Sequence, residues 1–219
     1  MLLRDLQNLL GTLNGVDVDL DVQDFLVTDM NLLSLLENPD YARVCAEKLL
    51  IQECDDELCV TLYLEAELLA RLADSDPRDY LGHANLSDFC KVLEGISHFI
   101  YLAWNAGHDK SVTLMEMEMQ AEVDKYIVAR ALLQNQTTGS LGRTLYDRLF
   151  GEPRFAPDLG EDEYVRYRDA SALAGQYCRT LERRFPSESL AYEMMQDLRT
   201  FYRLPQPDKL SHINTKSFA

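Results

Sequence analysis

Residues 115–124 read MEMEMQAEVD, and this stretch decides how the C-terminal half of the chain folds. Apolar and polar side chains alternate along it, which is the period of a β-strand, although most of its residues favour a helix. Thr113 and Glu116 form a capping-box pattern, in which each side chain bonds the other residue's backbone N–H at the start of a helix. The pattern predicts a helix from Leu114 to about Leu133. Such a helix carries carboxylates on every side, including the side that meets the core.

The chain around this stretch also reads as helical. Further helices are predicted at about residues 85–105, 161–184 and 188–203. Because long helices with short connections pack as antiparallel neighbours, residues 77–204 are predicted to form an antiparallel helical bundle. Pro205 and Pro207 interrupt the pattern, and residues 205–219 are expected to form a mobile tail.

The first 76 residues predict a small acidic α+β unit. Two β-compatible runs, KLLIQE (48–53) and LCVTLYL (58–64), flank the polar connection CDDE (54–57), which suits a β-hairpin. Helical patterns precede and follow the hairpin. Residues 59–73 also carry apolar side chains at helical spacing, so a purely helical fold stays open for this part. As a whole, the sequence predicts a mainly α fold with a minor β component.

Charge is distributed unevenly along the chain. Residues 1–76 carry 17 Asp and Glu against 4 Lys and Arg, so most of the formal net charge of −16 lies there. An acidic surface repels nucleic-acid phosphates and anionic lipids, so we predict no direct binding to nucleic acid or membranes. A basic protein partner would suit this surface, although soluble acidic proteins often carry such a surface without one. Five cysteines, an odd number, and the lack of a long apolar run favour reduced thiols and a cytoplasmic location.

Two predicted helices carry side chains of the kinds that bind metals. Glu94 and His98 stand four residues apart on one helix, and Glu118 and Glu122 stand four apart on the next. Each pair lies on one helix face, so a Glu/His/Glu/Glu metal site forms if the two faces meet inside the bundle. The Glu-x-x-x-His spacing differs from the Glu-x-x-His pattern of carboxylate-bridged di-metal bundles, and no second Glu/His pair is present. The alternative is that these side chains lie in solvent or form salt bridges with nearby lysines.

Aromatic and methionine side chains next to this candidate site suggest a binding surface. Tyr101 and Trp104 follow His98 at spacings of three, and Met115 and Met119 lie on the second helix. Tryptophan and methionine are both used at partner surfaces, so these four residues are predicted to contact a protein partner. Alternatively they fill the core, either of the single chain or of a homodimer that packs these helices across a two-fold axis.

The sequence therefore predicts a non-enzymatic interaction or regulatory protein, without a cofactor, that binds a protein partner through helical and acidic surfaces. The alternative is a metal-dependent enzyme that holds a divalent metal ion at Glu94, His98, Glu118 and Glu122. No Gly-x-Ser-x-Gly turn and no glycine-rich phosphate loop occurs in the sequence. The enzyme requires the four side chains to converge, whereas the interaction protein requires an exposed apolar patch near Trp104 or the methionines.

Overall fold

The fold is mainly α with a small sheet, as predicted. The computed structural model describes residues 1–37, 45–54, 57–136, 141–151, 153, 155–186 and 192–217. The helices are α1 (Leu2–Asn14), α2 (Met30–Leu36), α3 (Ala66–Asp74), α4 (Leu86–Ala106), α5 (Leu114–Gln134), α6 (Leu141–Tyr146), α7 (Glu161–Arg184), α8 (Tyr192–Arg203) and α9 (Gln206–Ser217). The strands are β1 (Leu26–Val27), β2 (Glu47–Cys54) and β3 (Glu57–Leu64). The first residues of the helix predicted at 188–203 lie outside the described residues.

Residues 115–124 lie in helix α5, and the predicted capping box is present. Thr113 Oγ1 accepts a hydrogen bond from the Glu116 backbone N–H at 3.1 Å, and Glu116 Oε2 accepts one from the Thr113 backbone N–H at 3.3 Å. Because α4, α6 and α7 pack around α5, both the apolar and the polar residues of the alternating stretch become buried. The buried polar side chains of α5 are Glu116, Glu118, Gln120, Asp124 and Lys125.

Helices α4 and α5 run antiparallel. Polar contacts pair progressively earlier residues of α4 with progressively later residues of α5, namely Tyr101 with Glu116, His98 with Glu118, and Glu94 with Lys125. Helix α7 packs against α5. This part of the bundle positions the candidate metal ligands.

The predicted hairpin is present as strands β2 and β3. They pair antiparallel from Glu47 opposite Leu64 to the connection, of which residues 55–56 lie outside the described ranges. The purely helical alternative for this part of the chain is therefore wrong. Strand β1 lies within the β-compatible run DFLVTD (24–29) of the sequence. It adds to β3 in parallel and gives the strand order β1-β3-β2, and the sequence did not predict this pairing.

Gly95 lets the sheet approach helix α4 closely. A Cβ atom at this position would lie 2.7 Å from Leu62 Cδ1 and 3.1 Å from both Cγ and Oε1 of Glu47. Such contacts are overpacked, so a side chain here would force the side chains of Leu62 and Glu47 to shift. Glycine thus allows β2 to place Glu47 beside the middle of α4.

The prediction of a mobile tail is wrong, because residues 206–217 form helix α9. Lys209 is fully buried, and Ile213 is also buried in the core. Lys209 Nζ donates hydrogen bonds to Gln120 Oε1 at 2.8 Å and to the Phe201 carbonyl oxygen at 2.9 Å. Pro207 does not interrupt the helix, since it lies in the first turn, where the backbone N–H has no intrahelical partner anyway.

Apolar side chains from both predicted parts share one core within the described ranges. Leu6 and Leu62 from the first 76 residues belong to the same cluster as Phe89 and Val123. The division of the chain into two units near residue 76 stays a prediction. The four cysteines whose side chains are described are free thiols. No helix in the described ranges is long and apolar enough to cross a membrane.

Candidate metal centre

The candidate site lies where helices α4, α5 and α7 meet strand β2. Helix α4 contributes Glu94 and His98, which are about one turn apart and so lie on one face. Helix α5 contributes Glu118, because the antiparallel register sets it beside His98. Glu47 enters from β2, and Arg166 enters from α7.

Glu94, His98 and Glu118 converge, as the metal-site prediction requires. Each offers one ligand atom, and these three atoms all lie within 4.8 Å of one another. His98 Nε2 lies 3.3 Å from Glu118 Oε2. His98 is 6% exposed and Glu118 is also buried, whereas Glu94 is partly exposed. The trio is therefore enclosed, with solvent near the Glu94 edge.

Glu122, the fourth predicted ligand, lies outside this trio. Its Oε1 accepts a hydrogen bond from Lys125 Nζ at 2.5 Å, and the same ammonium donates to Glu94 Oε2 at 3.0 Å. Because Lys125 is buried, it holds both carboxylates beside it. The ligand-like trio and a salt-bridge network thus share one residue, Glu94.

Glu47 is a member of the cluster that the sequence reasoning missed. Its side chain is packed against Gly95, and its Oε1 is enclosed without a hydrogen-bond partner within the described residues. One signal was available in the predicted hairpin. Glu47 pairs with Leu64, which is buried, and directly opposed residues of an antiparallel pair share a face, so Glu47 points toward the core.

The charges at this site shift one another's pKa values. Burial raises the pKa of Glu47 to about 8, and the carboxylates of Glu94 and Glu118 add to this effect. Burial opposes protonation of His98, but the carboxylates of Glu118, Glu47 and Glu94 outweigh it and raise the pKa of His98 to about 9. Burial favours a higher pKa for Glu94, but the positive charges of Lys125 and His98 outweigh it and hold the pKa of this carboxyl below its ordinary value. These shifts favour the protonated form of Glu47 and the cationic form of His98 near neutral pH.

Three enclosed polar atoms at this site have no hydrogen-bond partner in the described part of the chain, namely Glu47 Oε1, His98 Nε2 and Arg166 Nε. The contact between His98 and Glu118 is close enough for an ion pair but lacks the alignment of a hydrogen bond. Buried polar groups are normally paired, and an unpaired one costs about 1–3 kcal/mol. The concentration of such atoms distinguishes this cluster from an ordinary salt-bridge network.

In a second buried polar cluster, the carboxylate of Asp124 is fully paired. Asp124 accepts hydrogen bonds from Ser97 Oγ at 2.6 Å, Asn14 Nδ2 at 3.0 Å and Gln120 Nε2 at 2.9 Å. Gln120 Oε1 in turn accepts one from Lys209 Nζ. These bonds join α1, α4, α5 and α9, so this cluster serves to hold the helices together.

The residues predicted to contact a protein partner lie mainly in the core. Tyr101, Trp104 and Met119 are buried, and Met115 is partly buried. The Tyr101 hydroxyl donates to Glu116 Oε1 at 3.1 Å, and the Trp104 ring packs edge-on against Tyr202 at 5.6 Å between centroids. These positions do not supply the exposed apolar patch that partner binding requires. Binding to a protein partner or to a second copy of the chain stays a prediction.

Comparison with known proteins adds no functional assignment. No protein-family model, curated protein or solved structure matches the chain. The functional argument therefore depends on the geometry of the site.

Proposed function

We propose that this protein binds one divalent transition-metal ion, such as Mn²⁺ or Zn²⁺, through Glu94, His98 and Glu118. The observation that carries the proposal is the convergence of three ligand atoms around a buried imidazole nitrogen that has no hydrogen-bond partner in the described chain. Carboxylate and imidazole groups suit divalent first-row metals. Glu47, whose free Oε1 lies against the same helix, is a candidate fourth ligand.

The size of the cluster supports this proposal. Metal–ligand bonds to oxygen and nitrogen are about 2.0–2.2 Å long, so two ligand atoms of a tetrahedral ion are about 3.4 Å apart. The three atoms here lie within 4.8 Å of one another, so the widest pair would need to close by at most roughly 1.4 Å. Three protein ligands would leave coordination positions for a further ligand, the arrangement that catalytic metal sites use.

The charges of the cluster also support it. Metals bind the neutral form of imidazole, so an ion would displace the proton that His98 carries. It would thereby replace one positive charge among the carboxylates with a larger one, and would give His98 Nε2 and a Glu118 oxygen a shared partner. The salt bridge from Lys125 to Glu94 competes with the ion for Glu94, so Glu94 is expected to be the weakest of the three ligands.

The test is a titration of the chelator-treated protein with Mn²⁺ and with Zn²⁺, with elemental analysis of the dialysed complex. One ion per chain is expected. Glu118→Gln and His98→Asn are expected to weaken binding about tenfold or more, which corresponds to about 1.4 kcal/mol or more. Glu67→Gln is the matched control, because Glu67 is an exposed glutamate of helix α3 outside the cluster. Binding that is absent, or that Glu67→Gln weakens as much as Glu118→Gln, refutes the proposal.

Thermal unfolding gives a second readout. An ion that binds only the folded chain stabilises it by about 2.7 kcal/mol at 100 times its dissociation constant. The native protein and Glu67→Gln are expected to show this increase in melting temperature, and Glu118→Gln is expected to lose it. Equal increases in the native protein and Glu118→Gln would show that the ion binds elsewhere.

A further inference from the structure

Arg166 reaches the candidate metal centre from helix α7, where it forms two long ion pairs. Its Nε lies 3.9 Å from Glu118 Oε1, and its Nη2 lies 3.9 Å from Glu163 Oε1. Both distances exceed the range of a hydrogen bond. The side chain is 22% exposed, but Nε itself is enclosed and has no hydrogen-bond partner among the described residues.

An enclosed Nε–H without an acceptor is unusual for an arginine. Arginine pairs with carboxylate or phosphate groups through two parallel N–H···O bonds of about 2.7–2.9 Å, and its planar fork fits them. Glu118 cannot move toward Arg166 without leaving His98, because the other oxygen of the same carboxylate contacts the imidazole. The guanidinium is therefore held near the ligand cluster, and its enclosed Nε–H has no acceptor among the described residues.

The surroundings of Arg166 favour an anion that is not part of the chain. The Tyr167 ring lies 5.4 Å from the guanidinium carbon and covers part of it. Arg166 is also only partly buried, so a small molecule has a route from solvent. An anion bound here would lie beside Glu118, which makes the position unfavourable unless a cation lies among the carboxylates.

We propose that Arg166 binds a small oxyanion, a carboxylate or a phosphate, that also contributes an oxygen ligand to the metal ion. This inference rests on the proposed metal-binding function. One oxygen of the ligand lies on the ion, and the remaining oxygens accept hydrogen bonds from the guanidinium fork. The ligand class of the site is therefore a small anion that the ion and Arg166 hold together.

The test uses Mn²⁺ as the metal, with oxalate and inorganic phosphate as separate probes. Calorimetric titration of each probe into the Mn²⁺-loaded protein is expected to show binding that the metal-free protein lacks. Arg166→Gln is expected to weaken oxyanion binding by about 10- to 100-fold, the range expected for a charge-assisted bond. Arg166→Lys keeps the positive charge but loses the planar fork of N–H donors, so its oxyanion affinity is expected to lie between those of the native protein and Arg166→Gln. Arg168→Gln is the matched control, since Arg168 is exposed and paired with Asp169.

The Mn²⁺ affinity of each variant separates ligand binding from a structural role. If Arg166 holds the oxyanion, Arg166→Gln keeps or increases the affinity for Mn²⁺, because a positive charge near the ion is removed. If Arg166 only orients Glu118, the same variant loses Mn²⁺ affinity together with oxyanion affinity, and the inference is overturned. Mn²⁺ binding without binding of either oxyanion also overturns it but leaves the proposed function intact. Absence of Mn²⁺ binding overturns both.

Discussion

The buried lysine of helix α9 makes the stability of the protein depend on pH. Burial lowers the pKa of Lys209 to about 7, although the carboxylates of Glu116 and Asp124 oppose this shift. In the unfolded chain the same amine has its ordinary pKa of about 10.4. Between these two values the unfolded state binds a proton that the folded state lacks. The free energy of unfolding contributed by Lys209 therefore increases as pH rises from about 7 to about 10 and is constant below this window.

The magnitude follows from the size of the shift. A difference of one pKa unit corresponds to about 1.4 kcal/mol, so a decrease of roughly three units stabilises the folded state by about 4 kcal/mol at pH 10 relative to pH 6. Lys209 is fully buried, so solvent screening does not reduce this figure. The change is a large part of the total stability of a typical domain, which is about 5–15 kcal/mol.

Lys209→Met tests this calculation, because methionine fills a similar volume without a charge. The measurement is urea unfolding of the native protein and the variant at several pH values from 6 to 10. The stability of the native protein minus that of the variant is expected to increase by about 1.4 kcal/mol per pH unit above pH 7. Lys91→Met, at a lysine that is 44% exposed, is the control and is expected to show no such slope. A constant difference between the native protein and Lys209→Met would refute the reasoning.

Three further substitutions test the contacts that hold the site and the helices in place. Gly95→Ala is expected to lower the free energy of unfolding by about 1–3 kcal/mol, because its Cβ overpacks against the sheet even though alanine favours a helix; a stabilised variant in chemical denaturation would contradict the close approach. Lys125→Met is expected to lower the free energy of unfolding by about 3 kcal/mol, because Glu94 and Glu122 lose their buried partner. The same variant is expected to bind Mn²⁺ more tightly, because Lys125 no longer competes for Glu94. An unchanged unfolding midpoint would show that these ion pairs contribute nothing to stability. Asp197→Asn is expected to lower the free energy of unfolding by about 2–3 kcal/mol, because the buried carboxylate accepts hydrogen bonds from Tyr177, Arg184 and His212. Scanning calorimetry measures this loss of stability, and a melting temperature equal to that of the native protein would contradict the prediction.

The sequence predicted the fold well where a local rule decided the outcome. At residues 115–124 the capping box between Thr113 and Glu116 favoured a helix against the strand-like alternation, and the helix is present. The C-terminal segment shows the opposite case. Its helix is held by Lys209, whose partner Gln120 lies 89 residues away in the chain, and no local pattern encodes that bond.

The candidate site was only partly predictable, for a related reason. Spacing on two antiparallel helices was enough to bring Glu94, His98 and Glu118 together. Spacing gives the helix face of a side chain but not which neighbour it contacts, and for this reason Glu122 was predicted as a ligand although it binds Lys125. Glu47 and Arg166 enter from elements distant in sequence, so their positions depend on tertiary packing.

The two buried polar clusters of this protein show what the candidate site requires of a ligand. Around Asp124, three donors satisfy the carboxylate, and the cluster joins four helices without leaving that side chain unpaired. Around Glu118, three enclosed polar atoms lack a hydrogen-bond partner in the described ranges, although one of them, His98 Nε2, lies in an ion pair with Glu118. Apolar side chains of the same volume can often replace a buried ion pair without loss of stability, so the stability of the fold does not by itself require such a cluster. The proposed ion, with an oxyanion beside it, would pair all three atoms.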